Sequence, residues 1–361
     1  MKNFSDLELS PLLIQSLAKL LITTPTPIQQ KAIPPALNHK DILASAQTGT
    51  GKTVAYLAPL LVNLSKLEKG MALILVPTRE LAAQVDQNLR KILDSAFPFK
   101  TALLIGGASM SQQLQQLRQK PRIVVGTPGR VNDHIERGSL NLKEGRFLIL
   151  DEADRMLDMG FGPQIDRIVQ TFPKERQTFM FSATLPPNIE KLSRKYLNNP
   201  HRISIDSSLQ PDPKIKQEIL RTKSVEKQVE LAKQLKIRQG LTIIFVRTRR
   251  RAEKLARELK KIGHTVEEMH GNLTQKRRAS AVHAFRTSKS RIMVATDVAA
   301  RGLDIPHVMH VINYDLPDCA EDYIHRIGRT GRANAEGNAL SIISPEENHK
   351  WKAIARLLDR R

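Results

Sequence analysis

Short apolar runs alternate with helix-forming stretches along nearly the whole chain, and this alternation restricts the fold more than any other feature. DILAS (41–45), ALILVP (72–77), TALLIG (101–106), RIVVGT (122–127), FLILDEAD (147–154) and TFMFSAT (178–184) each lead into a turn and a helical segment. The pattern pauses at SSLQPDP (207–213) and resumes with TIIFVRT (242–248), RIMVAT (291–296), HVINYD (310–315) and ALSIIS (339–344). A strand that is apolar at successive positions must be covered on both faces, and strands separated by helices pair in parallel. The expected class is therefore α/β, two domains in tandem, each a parallel sheet with helices on both faces. At 361 residues the chain exceeds what one core usually serves. The polar stretch with two prolines suits a linker. The expected boundaries are a first domain over 1–206, a linker over 207–213 and a second domain over 214–361. Ser10 before Pro11, and Thr26 before Pro27, mark two helix starts.

Charge narrows the partner. The chain has 57 Lys+Arg against 36 Asp+Glu, a formal +21, shared as +8 over residues 1–206 and +13 over the remainder. An excess of that size suits a polyanion, most often nucleic acid, although solvated basic faces have the same composition. Aromatics make up only 4%, so few rings are on offer for stacking bases. Contact with sugar and phosphate is the expected mode, with weak sequence preference. Cys319 is the sole cysteine, which excludes an internal disulfide and a cysteine-cluster metal site. No apolar run is long enough for a bilayer, and MKNFSDLELS lacks a signal-peptide core, so no membrane partner and a cytoplasmic location are expected.

The chemistry is concentrated at AQTGTGKT (46–53), between the strand DILAS and the helical run VAYLAPLL. This is a phosphate loop in its strand–loop–helix context. Gly49 and Gly51 let backbone amides converge on phosphate oxygens at a helix N-terminus. Lys52 supplies charge to the outer phosphates, and Thr53 a hydroxyl for Mg²⁺. Ala46 stands where the general pattern has glycine. At the end of FLILDEAD, Asp151 is the expected magnesium carboxylate, acting largely through water, and Glu152 is placed to orient or deprotonate an attacking water. The second half has no phosphate loop, but carries HRIGRTGR at 325–332. Alone, that segment is as much an RNA contact or a basic turn as an arginine finger. Beside a single phosphate loop, the finger role is favoured. The run Arg247, Arg249, Arg250, Arg251 is either a phosphate contact or a solvated helix start.

Together, PTPIQ, AQTGTGKT, PTREL, TPGR, DEAD, SAT, HGNLTQKRR, ATDVAARGLDI and HRIGRTGR, in this order, resemble the core of the DEAD-box RNA helicases. The resemblance covers nearly the whole chain and implies two RecA-like domains. It implies a nucleotide site formed by Phe4, Ile22, Gln29, Ala46, Gln47, Thr48, Gly49, Thr50, Gly51, Lys52 and Thr53, with Gly302 and Asp304 from the second domain. Gln29 would read adenine, making ATP with Mg²⁺ the preferred nucleotide. Lys52, Asp151, Glu152, Arg326 and Arg329 would be catalytic. Asp154, Ser182, Thr184 and His325 would couple the nucleotide to RNA. RNA contacts are implied at Pro77, Thr78, Arg79, Gly106, Gly107, Thr127, Pro128, Gly129 and Arg130, and at Gly271, Gln275, Arg278, Thr296 and Asp297.

The implied function is RNA-stimulated ATP hydrolysis coupled to local unwinding of short duplexes or remodelling of RNA–protein complexes. Single strands and short duplexes would be held by their backbone, by a core that needs no second chain. An ATP-gated RNA clamp with little unwinding uses the same residues and is the alternative. Two departures stand out: Ile22 replaces a frequent Phe or Tyr, and Leu21 a usual glycine. The loss of a ring there predicts a weak ATP affinity.

Overall fold

The computed structural model describes residues 3–46, 49–205, 214–300, 307–331 and 336–358. The chain divides into two compact units, Met1–Ser207 and Ser208–Arg361; the expected linker lies outside the described residues. In the first unit the strands are β1 (Ile42–Ser45), β2 (Met71–Leu75), β3 (Thr101–Leu104), β4 (Ile123–Gly126), β5 (Gly145–Leu150), β6 (Gln177–Ser182) and β7 (His201–Ser204). Helices α1 (Pro11–Lys19) and α2 (Pro27–Leu37) precede β1. Then follow α3 (Lys52–Ser65), α4 (Arg79–Ala96), α5 (Met110–Arg118), α6 (Pro128–Glu136), α7 (Ala153–Asp158), α8 (Gly162–Gln170) and α9 (Pro187–Tyr196). The second unit contains β8 (Ile215–Arg221), β9 (Thr242–Phe245), β10 (Val266–Met269), β11 (Ile292–Ala295), β12 (His310–Asn313) and β13 (Gly337–Ile343). Its helices are α10 (Lys227–Ile237), α11 (Arg249–Lys261), α12 (Gln275–Arg286), α13 (Asp297–Ala300), α14 (Ala320–Ile327) and α15 (Asn348–Leu358).

The sheets run β3-β4-β2-β5-β6-β1-β7 and β10-β11-β9-β12-β13-β8. All their pairings are parallel. Strand residues feed two separate cores by parity. In the first sheet Ile42, Ala72, Ile74, Phe147, Ile149, Phe179 and Phe181 enter one, whereas Leu43, Leu73, Leu75, Leu148, Leu150 and Met180 enter the other. In the second sheet Ile244, Val294 and Ile312 divide in the same way from Ile243, Phe245, Met293 and Val311. Strands buried on both faces explain the continuous apolar runs.

The strands absent from the sequence reading are β7, β8 and β10, and all three are sheet edges. Their sequences, HRIS, IKQEILR and VEEM, are polar because an edge strand meets water along one side.

Strand order sorts the carboxyl ends of the first sheet into two halves. β5, β6 and β1 are adjacent and lead to Asp151, the SAT turn and the phosphate loop. β2, β4 and β3 lead to PTREL, TPGR and the Gly106–Gly107 turn. Ligands of open parallel sheets bind beyond these carboxyl ends. Phosphate-loop residues and the RNA contacts expected in the first unit therefore share one edge of one sheet.

Both predicted helix starts are present. Ser10 Oγ accepts the Leu13 amide at 3.4 Å, and Gln29 Oε1 accepts the Thr26 amide at 2.9 Å. The end of α1 explains the departure at residue 21. The Leu21 amide donates to the Ala18 carbonyl at 2.9 Å and the Ile22 amide to the Leu17 carbonyl at 3.0 Å, a Schellman turn with Leu21 at its left-handed position, φ +61°. Ile22 packs against the core beside Leu17, while the Leu21 side chain is 89% exposed. A leucine held at positive φ with no burial in return costs about 1 kcal/mol. Replacing Leu21 with glycine removes that strain and gives back part of it through unfolded-chain entropy. The expected net gain is about 0.5–1 kcal/mol, read as a rise of about 1–4 °C in the melting of the first unit by calorimetry.

Candidate nucleotide and RNA site

The phosphate loop is shaped by two glycines and braced by a glutamine. Gly49 and Gly51 have φ of +88° and +92°, where side chains other than glycine are strained. A Cβ on Gly51 would also lie 2.5 Å from Gln29 Nε2, which donates to the Gly51 carbonyl at 3.0 Å. Gln29 thus joins α2 to the loop through one end of its amide and closes the start of α2 through the other. Ala46 has no positive φ, and its amide donates to the Ser182 carbonyl at 3.0 Å, extending the ladder between β1 and β6. An alanine fits there without strain. Gln47 and Thr48 lie outside the described residues.

Lys52 and Thr53 open α3. Lys52 is buried, and its Nζ has no hydrogen-bond partner among the described residues. A buried ammonium without a partner is costly, and an anion in the loop would satisfy it. Asp151, at the end of β5, is buried close enough for its charge to be felt by Lys52. Both of its oxygens are committed: Oδ1 accepts the Glu152 amide at 2.9 Å and Oδ2 accepts the Tyr56 hydroxyl at 3.1 Å. Burial pushes the carboxyl up to about 6; Lys52 opposes the shift and Glu152 adds to it. Glu152 is buried and sits at φ +53°, a strained backbone position of the kind that gathers at active sites.

Asp154 links this carboxylate turn to the end of the neighbouring strand. Its Oδ2 accepts the amides of Ala183 at 3.0 Å and Thr184 at 3.2 Å, with the Thr184 hydroxyl at 3.5 Å. Ser45 Oγ donates to the Ala183 carbonyl at 3.1 Å, which ties the same turn to β1. Ser182 Oγ is buried and unpartnered among the described residues. Two residues expected at the base end are inward-facing: Phe4 is buried in the core, and Ile22 is partly buried against it.

The other half of the sheet edge presents a chain of supports. Thr78 Oγ1 accepts the Leu81 amide at 3.2 Å and starts α4, and Pro77 precedes it. The Arg79 guanidinium lies so near Gly106 that a Cβ there would be 3.1 Å from Nη2. Gly107 has φ +77°. Gly129 has open space around it, and Pro128 begins α6. The Thr127 amide donates to the Leu104 carbonyl at 3.0 Å, and Arg130 Nε lies 3.7 Å from Asp133. Gln113 was not singled out from the sequence, yet it organises this region. Its Nε2 reaches the carbonyls of Ile105 at 3.1 Å, Ala108 at 3.4 Å and Ser109 at 3.3 Å, while its Oε1 contacts His134 Nε2 at 3.3 Å. One glutamine in a helix rich in glutamine carries no signal of its own.

In the second unit, Arg326 is buried, and four of its five N–H donors are engaged. It forms a bidentate pair with Asp297, at 2.5 and 2.6 Å, and donates to Asn313 Oδ1 at 3.1 Å and the Asp315 carbonyl at 2.6 Å. Arg329 is buried, with its Nε donating to the His325 carbonyl at 3.3 Å, and His325 Nδ1 lies 3.8 Å from Asp322. Thr296 continues the ladder to Met269. Gly271 lies beside Arg249, which donates to Asn272 at 2.7 Å, so Arg249 faces the expected RNA loop while Arg251 pairs with Asp315 at 3.3 Å. Arg278 is buried, and Gln275 Oε1 is buried without a partner among the described residues. Gly302 and Asp304 lie outside the described residues.

The sequence model described as DEAD/DEAH box helicase matches residues 26–192, and that described as helicase conserved C-terminal domain matches residues 225–334. The ATP-dependent RNA helicase CshA of Listeria monocytogenes is 42% identical over 349 residues, 96% of this chain and 67% of that protein. The ATP-dependent rRNA helicase RRP3 of Candida albicans is 40% identical, over 100% of this chain and 68% of that protein. Among solved structures, S. cerevisiae Dbp5 bound to RNA and ADP BeF3 matches with a TM-score of 0.90 at 30% identity, covering 100% of this chain and 94% of that one. No helix among the described residues is long and apolar enough to cross a membrane.

The raised Asp151 carboxyl has a consequence for the nucleotide-free protein. An acid titrating near 6 when folded and near 3.9 when unfolded destabilises the folded state once it ionises. Stability on its account is greatest below the unfolded value and is lost as pH rises through 6. Asp151→Asn is therefore expected to stabilise the apoprotein by about 3 kcal/mol at pH 7.5. Urea unfolding at a series of pH values should show the gain fading between pH 6 and 4.

Proposed function

We propose a reaction cycle for this chain, which belongs to the DEAD/DEAH-box family of ATP-dependent RNA helicases: ATP hydrolysis stimulated by RNA and coupled to local separation of short duplexes or remodelling of RNA–protein complexes. The buried Lys52 ammonium, unpartnered among the described residues, carries the reading most directly: a nucleotide phosphate would satisfy it, and the nearby Asp151 carboxylate would hold the Mg²⁺ that accompanies that phosphate. Lys52 holds the outer phosphates together with the loop amides. Glu152 accepts the proton of the attacking water.

Mg²⁺ fits the donor set. Thr53 and Asp151 offer hard oxygen ligands of the kind it prefers, and Mg²⁺ usually keeps several of its own waters at such sites. Bound there, it would neutralise charge on the phosphates.

The phosphate loop and Glu152 belong to one unit, and Arg326 and Arg329 to the other, so hydrolysis requires groups from both. Arg329 is the finger we favour for the developing phosphoryl charge. Arg326, with four of its five N–H donors held by Asp297, Asn313 and Asp315, first fixes the turn at 296–297 expected to contact RNA. The Asp154 bonds to the SAT turn support a coupling role for Asp154, Ser182 and Thr184, with His325 contributing from the second unit. RNA contact at the Pro77–Arg79, Gly106–Gly107 and Thr127–Arg130 turns is supported by their shared sheet edge. The same role at Gly271, Gln275 and Arg278 is supported by the buried Gln275 Oε1. Gln29 would read adenine with the amide capacity left after bracing Gly51, which favours ATP. Work in the cytoplasm accords with a single cysteine.

Two substitutions test the cycle. Glu152→Gln should lower RNA-stimulated turnover by about 10²–10⁴-fold and leave RNA binding in place. Arg329→Ala should lower it by about 10³-fold or more. Steady-state ATPase with and without RNA, beside a fluorescence measurement of RNA binding, reads both. Intact stimulation in Arg329→Ala would rule out the two-unit requirement.

A further inference from the structure

We propose that Tyr56 is a positioning residue for the magnesium end of the nucleotide site. Tyr56 lies on α3, three residues after Thr53, so the two side chains share a helix face. Its ring is fully buried and packs against Phe181, the residue before Ser182, with centroids 5.5 Å apart. A phenylalanine would fill that space equally well. A hydroxyl taken into such surroundings is costly unless it is bonded, so its partners explain its presence. It donates to Asp151 Oδ2 at 3.1 Å, and the Thr53 side chain lies one helical step away on the same face of α3.

These are the two side chains that would hold Mg²⁺, and the inference rests on that reading. The phenol fixes one carboxylate oxygen of Asp151 while the Glu152 amide fixes the other. The carboxylate plane is thereby set before any ligand arrives. Supporting partners of this kind determine how well first-sphere groups hold a metal, and their loss typically costs 10–100-fold in affinity. Phe181 adds a link to the SAT turn, because any shift of the end of β6 moves the wall against which the tyrosine ring rests.

The test is Tyr56→Phe in the full chain, which removes only the hydroxyl. A fluorescent ADP analogue is titrated in EDTA and at increasing MgCl₂, so that no turnover is involved. The expected result is a rise of about tenfold in the Mg²⁺ concentration giving half of the affinity gain, with the affinity in EDTA within about twofold of wild type. The EDTA measurement also establishes that the variant is folded. An unchanged Mg²⁺ midpoint would overturn the proposal. So would an equal loss in EDTA and in Mg²⁺, which would make the hydroxyl a general structural support. If wild-type ADP binding does not respond to MgCl₂ at all, the magnesium reading fails and this inference fails with it. A normal wild-type response with an unmoved variant sinks only the inference.

Discussion

A carboxylate and an ammonium buried at the carboxyl edge of a parallel sheet set the terms for everything around them. Neither Lys52 nor Asp151 can be taken from water cheaply, and only Asp151 is given hydrogen-bond partners in return among the described residues. Asp151 is held by the Glu152 amide and the Tyr56 hydroxyl, and still titrates near 6. Lys52 has no partner among the described residues. An arrangement left short of one anion is poised to bind one, and the loop amides at the start of α3 complete the reception. Stability has been exchanged for a site, as strained and destabilised active sites commonly require.

Strand order then connects this charge to the turns at PTREL, TPGR and Gly106–Gly107. β5, β6 and β1 lie together, so Asp151, the SAT turn and the phosphate loop are neighbours although far apart in sequence. Asp154 bridges the first two and Ser45 the last two. On the far side of β5 begins β2, whose end carries PTREL. Hydrogen bonds and strand pairing thus run without a break from the phosphate loop through the SAT turn and Asp154 to β5 and β2. The second unit uses a comparable economy, with Arg326 drawing Asp297, Asn313 and Asp315 into one cluster.

Legibility followed burial. Strands covered on both faces are apolar throughout and were found; the polar edge strands β7, β8 and β10 were not, because half-solvated strands resemble loops in composition. Helix starts at Ser10 and Thr26 were legible because capping is local chemistry. The substitution at Leu21 was visible, but its meaning was not. Only the positive φ of the Schellman turn shows why a glycine is usual there, and that Ile22 is partly used in closing α1.

By itself, the sequence determined the α/β class, the phosphate loop, the carboxylates and the arginines, because each rests on residue types at short spacings. What only the tertiary structure decided is how those groups are held. Gln29 as a brace for Gly51, Gln113 as the organiser of the Gly106–Gly107 turn, Tyr56 beneath Asp151 and Arg326 committed to Asp297 all join residues from different elements. Such bonds span up to 95 residues of chain. No local pattern encodes them, since a buried hydroxyl or amide takes whichever partner the packing of strands and helices brings within hydrogen-bonding distance.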